Sequence, residues 1–118
     1  MAKEIPLSRV SGKQMVVTGA ARRNGEPLSL LGHVLRFAIS ERDTHRIIAQ
    51  VSTGDGITQE ESGRFRVEIP ATTMTRNTFP RTEYWWEMDM LLNGDAAQAT
   101  EIDNGSGPFT LRPSAFGG

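Results

Sequence analysis

The chain has 118 residues, of which 37% are hydrophobic and 23% charged, the proportions of one globular domain rather than of a disordered or membrane-spanning protein. Thirteen basic residues against fourteen acidic ones leave a net charge of −1, which argues against nucleic acid as a partner, since phosphate binding calls for a positive excess. There is no cysteine, so disulfides, thiolate catalysis and cysteine-ligated zinc are excluded and stability must come from packing.

The opening stretch, MAKEIPLSRVSGK, lacks the apolar run of a secretory signal, and no segment approaches the ~20 apolar residues of a membrane span. The expectation is a chain made in the cytoplasm that leaves it, if at all, by a route other than ordinary secretion. Weak strands are expected at Ile5 to Arg9 and Lys13 to Ala21. In HVLRFAISE, Leu35, Phe37 and Ile39 alternate with Arg36, Ala38 and Ser40, the period-two pattern of a strand with one dry face. A further weak strand is expected at His45 to Ser52. The stretch TGDGITQEE reads as an acidic loop, and GRFRVEIP then alternates cleanly, with Phe65, Val67 and Ile69 inward and Arg64, Arg66 and Glu68 outward.

PATTMTRNTFPR interrupts the rhythm and is either a helical turn from Thr72 to Asn77 or a looped crossing between sheets; its threonines discourage a longer helix. In the following strand, Thr82, Tyr84, Trp86, Met88, Met90 and Leu92 share one face, expected to be buried. Glu83, Trp85, Glu87, Asp89 and Leu91 share the other, which is mostly acidic. The last weak strands are Ala97 to Ile102 and Pro108 to Arg112. Asn24-Gly25, Asn93-Gly94 and Asn104-Gly105 are turn signals, suited to two successive residues at positive φ. Short strands at this spacing, without a long amphipathic helix, predict an all-β fold: a single antiparallel sandwich domain of about seven to eight strands over residues 1–118, with a flexible tail at about 113–118. A small barrel is the competing architecture. Tyr84, at the start of the most hydrophobic strand, stands where immunoglobulin-like folds place a corner tyrosine.

Chemistry has few ingredients here. His33 and His45, the two histidines, fall in strand-like segments, and none of the common nucleophile, zinc, phosphate-loop or dinucleotide motifs occurs. Glu87 and Asp89 project from one strand face, but an acidic solvated face accounts for them without catalysis. Asp55, Glu60 and Glu61 are hard oxygen ligands, yet the spacing of a calcium loop is missing. No enzyme activity, cofactor or metal is therefore expected. Arginine outnumbers lysine eleven to two, which either a GC-rich coding genome or arginine-rich protein contacts would produce. Trp85 faces the acidic side of its strand, where it either stacks on a ligand or partner or is covered by a neighbouring segment.

In order, IPLSRVSGKQMVVTG, NGEPLSLLGHVLRFAI, IIAQVSTGDGIT and GRFRVEIPATTMTRNTFPRTEYWWEMDMLLNGDAAQATEIDNGSGPFTLRP resemble the immunoglobulin-like N-terminal domains of bacteriophage baseplate and tail-fibre proteins, of the upper-baseplate type. Glu26 to Gly32 is similar to the polar turn and small apolar phrase that precede an alternating strand there, and Thr82 to Met88 to the aromatic strand that follows the crossing loop. The resemblance covers about residues 5 to 113. It implies a structural, non-enzymatic virion protein, assembled in the host cytoplasm into the tail, with other tail or fibre proteins as partners and a homo-oligomeric arrangement. Such proteins usually continue into a receptor-binding or fibre region whereas this chain ends at PSAFGG, which implies a free-standing adaptor or decorating subunit. Phe116 in that tail either docks on a neighbour or is unstructured. Trp85, Arg76 and Arg81, an aromatic and two arginines near the crossing loop, are the candidate interface anchors. The alternative is a carbohydrate-binding sandwich module with Trp85 as stacking platform.

Overall fold

The computed structural model describes residues 5–23, 26–27, 29–30, 32–92 and 95–113. Its strands are β1 (Leu7–Val10), β2 (Met15–Ala20), β3 (Arg22–Arg23), β4 (Glu26–Pro27), β5 (Val34–Glu41), β6 (Ile47–Thr53), β7 (Gly56–Gln59), β8 (Arg64–Ile69), β9 (Glu83–Leu92) and β10 (Asp95–Arg112). A short 3-10 turn, Glu61–Gly63, precedes β8. The hydrogen-bonded order is β1-β10-β9-β5-β6-β7-β8-β2, with β3 and β4 as a separate pair.

This ladder is wrapped into two layers. β1 and β2 stand at its opposite ends, yet Arg9 of β1 donates from Nη2 to the Val16 carbonyl of β2 at 3.3 Å. Side chains from both halves enclose one core: Phe37, Ile39, Trp86, Met88, Met90, Phe109 and Leu111 on one side, Met15, Ile57, Phe65, Val67 and Ile69 on the other. The period-two expectation explains why, since each of these residues alternates with a more exposed one along most of its strand. The fold is an all-β, immunoglobulin-like sandwich.

The layers meet where β6 passes into β7. Gly54 and Gly56 take φ of +83° and +101° there, a backbone region costly for any other residue, and a Cβ on Gly56 would lie 2.6 Å from Val51 Cγ1. Ser52 and Thr53 then pair in parallel with Gly56 and Ile57. β1 with β10 is the other parallel pair, so the sandwich is not wholly antiparallel as expected.

Tyr84 makes the expected corner. Its hydroxyl accepts the Arg81 N–H at 2.7 Å, and Phe79 meets its ring edge-on at 5.2 Å. Two residues later, where an antibody domain carries a cysteine of its inter-sheet disulfide, stands Trp86. Its ring stacks on Phe37 at 5.7 Å, and its Nε1–H donates to the Ile5 carbonyl at 2.7 Å. Aromatic packing thus occupies the centre in a chain with no cysteine.

Several expectations are corrected. Gly56–Gln59 is strand β7, not acidic loop, because Ile57 points inward at 2% exposure and anchors it. Asn104-Gly105 does not turn the chain: the two weak strands around it are one strand, β10, with irregular register between Asp95 and Thr100 and between Glu101 and Ser106. Those insertions absorb the extra residues as bulges, and the ladder continues through them. Ile5 precedes β1 rather than opening it, and Thr82 is exposed outside β9. His45 lies in the β5–β6 connection at φ 58°, and His33 just before β5, so neither is a strand residue. Between β8 and β9 the chain takes the looped crossing: Thr73 and Met74 donate to the Pro70 carbonyl, and Met74 and Phe79 plug the core at 0% exposure. Asn24-Gly25 and Asn93-Gly94 lie outside the described residues, bracketed by the pairs Arg23 with Glu26 and Leu92 with Asp95. Phe116 also lies outside them.

Candidate contact face

β9 lies between β5 and β10, and its pairing sets which side chains share the outward face. Trp85 stands opposite Ser40 on one side and Pro108 on the other, and Ser40 stands opposite Ile47 of β6. An apolar band therefore crosses four strands, from Pro108 through Trp85 and past Ser40 to Ile47. Ile47 is 55% exposed and is the one large exposed hydrophobic among the described residues. Trp85 is half-buried.

Charge borders this band. Glu83 and Glu87 flank Trp85 on the same face, both exposed. Beyond Glu87, Arg36 of β5 holds Asp89 of β9 with both prongs of its guanidinium, Nε to Oδ1 at 2.8 Å and Nη2 to Oδ2. That pairing raises the pKa of Arg36 further, chiefly through the hydrogen bond to Asp89. Asp89 is thus occupied structurally, and the Glu87–Asp89 pair is not two free carboxylates. A small hollow of about 160 Å³ lies here, lined by Arg36, Ala38, Ile47, Gln50, Glu87 and Asp89.

At the other end of the face is an open polar groove of about 690 Å³ lined by Arg42, Asp43, Arg81, Thr82 and Glu83. Glu41, buried at the end of β5, organises it. Arg46 Nε donates to its Oε1 at 2.6 Å, and Arg81 Nη1 lies 3.7 Å from its Oε2 and 3.6 Å from Asp43 Oδ2. The Arg46 hydrogen bond, with a smaller contribution from the charge of Arg81, holds the Glu41 carboxyl below the ordinary carboxylate range.

The candidate anchors fall into different settings. Arg81 is exposed and lines the groove that adjoins the Trp85 face. Arg76 is turned inward on its own loop, its guanidinium donating to the carbonyls of Arg81 at 3.0 Å, Leu111 at 3.3 Å and Pro80 at 3.3 Å. It ties the crossing loop to β10. Alternation alone does not mark Ile47 or Pro108 as contact residues. The Ile47-Ile48 doublet was the available signal, since two isoleucines in succession cannot both face inward in a regular strand; the β5–β6 register slips there, between Ile39 and Ser40. Asp55, Glu60 and Glu61 do not converge, and no group of three His, Asp or Glu suited to a metal occurs among the described residues.

No family model matches this chain, and no curated protein matches it. Among solved structures it is similar to the second immunoglobulin domain of the mouse polymeric immunoglobulin receptor, at 10% identity over 96% of this chain and 98% of that one, with a TM-score of 0.49. The natural killer cell receptor NKp44 is similar at 15% identity over 96% of this chain and all of that one (100%), with a TM-score of 0.45. A proposed glycoside hydrolase of Bacteroides vulgatus matches over 92% of this chain but only 17% of its own, at 13% identity and a TM-score of 0.46. Likeness at this level says nothing about activity or partners.

Proposed function

We propose that this protein is a structural, non-enzymatic subunit of a phage or phage-like tail, an adaptor or decorating protein at the baseplate, tail tip or fibre attachment site. The observation that carries the reading is the outward band of Pro108, Trp85 and Ile47, bordered by Glu83 and Glu87 and fixed on a packed sheet. Such a surface is a docking patch of apolar centre and charged rim rather than a cleft that encloses a small substrate. The phage context comes from the resemblance in the sequence. Other tail or fibre proteins, and further copies of this chain, are the partners. Closed symmetry would multiply a modest contact into firm attachment. Localisation is then the virion tail, after assembly in the host cytoplasm, and no cofactor takes part.

Trp85 is the principal anchor and Arg81 the second, placed beside the groove that continues the face. Arg76 serves through the loop it holds. The same half-buried Trp85 on an open face also favours a second reading, a carbohydrate-binding module with the indole under a sugar ring. Light scattering together with a glycan array separates them. A symmetric oligomer without glycan response is the expected result; a monomer that binds glycans, and loses them in Trp85→Ala, would replace the first reading with the second.

A further inference from the structure

The strand order ends on β2, which pairs with β8 and with no other described strand. Two hydrogen bonds fix which way its backbone points. Ala21 donates its N–H to the Gly63 carbonyl on the β8 side at 2.8 Å, whereas the Val16 carbonyl accepts from Arg9 at 3.3 Å. In an antiparallel ladder the N–H and C=O of one residue point the same way and alternate along the strand. Met15, Val17 and Gly19 therefore face β8, and Val16, Thr18 and Ala20 direct their N–H and C=O groups outward.

We propose that β2 is the edge through which two copies of this chain join, antiparallel and centred on Thr18, making one continuous sheet from the two β7-β8-β2 layers. The inference deepens the assembly reading above and takes its biological meaning from it.

Three observations select a second copy as occupant. The outward register is self-complementary: with the dyad on Thr18, Val16 of one copy meets Ala20 of the other, and Thr18 meets Thr18, a favourable cross-strand pair. Charges do not oppose the joint. Arg66 lies beside Thr18, so two copies of it flank the dyad, but each is paired with its own Glu68 at 2.7 Å, and Glu68 beside Val16 and Arg64 beside Ala20 set opposite signs at the two ends of each outer row. Finally, MVVTGA holds no proline or bulge and no charge of its own, the Arg9 guanidinium meeting its edge only at the Val16 carbonyl, while β1 at the opposite end of the order is only four residues long. Arg9 occupies one acceptor position of the Val16 carbonyl, which has two, so an incoming N–H completes it.

The test uses the full chain in light scattering at roughly 10–100 μM, the range in which weak, transient contacts register. Wild type is expected to form dimers. Thr18→Pro removes an outward N–H that its own ladder does not use, and Thr18→Lys sets like charges across the dyad. Each should weaken self-association about tenfold or more while circular dichroism stays that of the folded protein. Because the chain contains no cysteine, Thr18→Cys introduces a single thiol, and the ~5.5 Å Cα separation of a hydrogen-bonded pair permits a disulfide. Covalent dimer on mild oxidation supports the proposal, as does a Trp85→Ala variant that still dimerises. A folded monomeric wild type without Thr18→Cys cross-linking would overturn it and leave the tail assignment standing. So would cross-linking only between Ser8→Cys and Thr18→Cys chains, which marks a head-to-tail joint. A Thr18-centred dimer absent from tail particles would instead keep the joint and remove the tail assignment.

Discussion

Tyr84, Gly107 and Glu41 show how single positions decide this fold. Tyr84→Phe leaves the Arg81 N–H without its 2.7 Å acceptor and should cost about 1 kcal/mol in urea denaturation, with the sheet unchanged. A Cβ on Gly107 would lie 2.1 Å from the Ile5 carbonyl oxygen, the same oxygen that accepts from Trp86. Gly107→Ala should therefore destabilise by about 1–3 kcal/mol and speed hydrogen exchange at the Trp86 indole. Glu41 titrates below an ordinary carboxylate chiefly because Arg46 hydrogen-bonds it. A depressed folded pKa stabilises above the unfolded value and ceases to do so as pH falls through the folded one. The urea midpoint should fall as the pH is taken below the ordinary carboxylate range, and fall less in Glu41→Gln. At this scale the sequence disclosed Tyr84 and the inward Trp86. The contact of Ile5 with Gly107 was hidden, because nothing local pairs residues so far apart.

Elements were legible where one face had to be dry. Val34–Glu41, Arg64–Ile69 and Glu83–Leu92 follow the alternation almost residue by residue, since a one-residue slip would bury Arg64, Arg66 or Glu87. β7 shows no period in the sequence because Ile57 is its only deeply buried side chain. Asn104-Gly105 divides β10 in two as a turn signal, but the chain stays extended there and the register irregularity between Glu101 and Ser106 takes up the extra residues. The crossing loop between β8 and β9 is held by a polar side chain set between its hydrophobic anchors, Met74 and Phe79. Arg76 binds three loop and strand carbonyls, so Arg76→Ala should cost about 1–2 kcal/mol, and lysine, which lacks the fork, should restore less than half. Equilibrium denaturation of both variants measures this.

For the molecule as a whole, alternation and turn spacing implied two layers but not their order, and the joining of the ladder at Gly54 and Gly56 depends on backbone angles that composition does not encode. The outward face followed a similar course: Trp85 stood out as an aromatic among acids, while Ile47 and Pro108 joined it only through pairing across strands. If that band is the docking surface, Trp85→Ala costs the isolated domain about 1–2 kcal/mol at most, as befits a half-buried side chain, and removes attachment to the particle. The most direct measurement is quantitative mass spectrometry of gradient-purified tail particles from a lysed culture carrying the gene. The protein should co-sediment in fixed ratio with the tail proteins and disappear from particles in the Trp85→Ala variant. Recovery of the wild-type chain entirely in the free protein fraction would contradict the account.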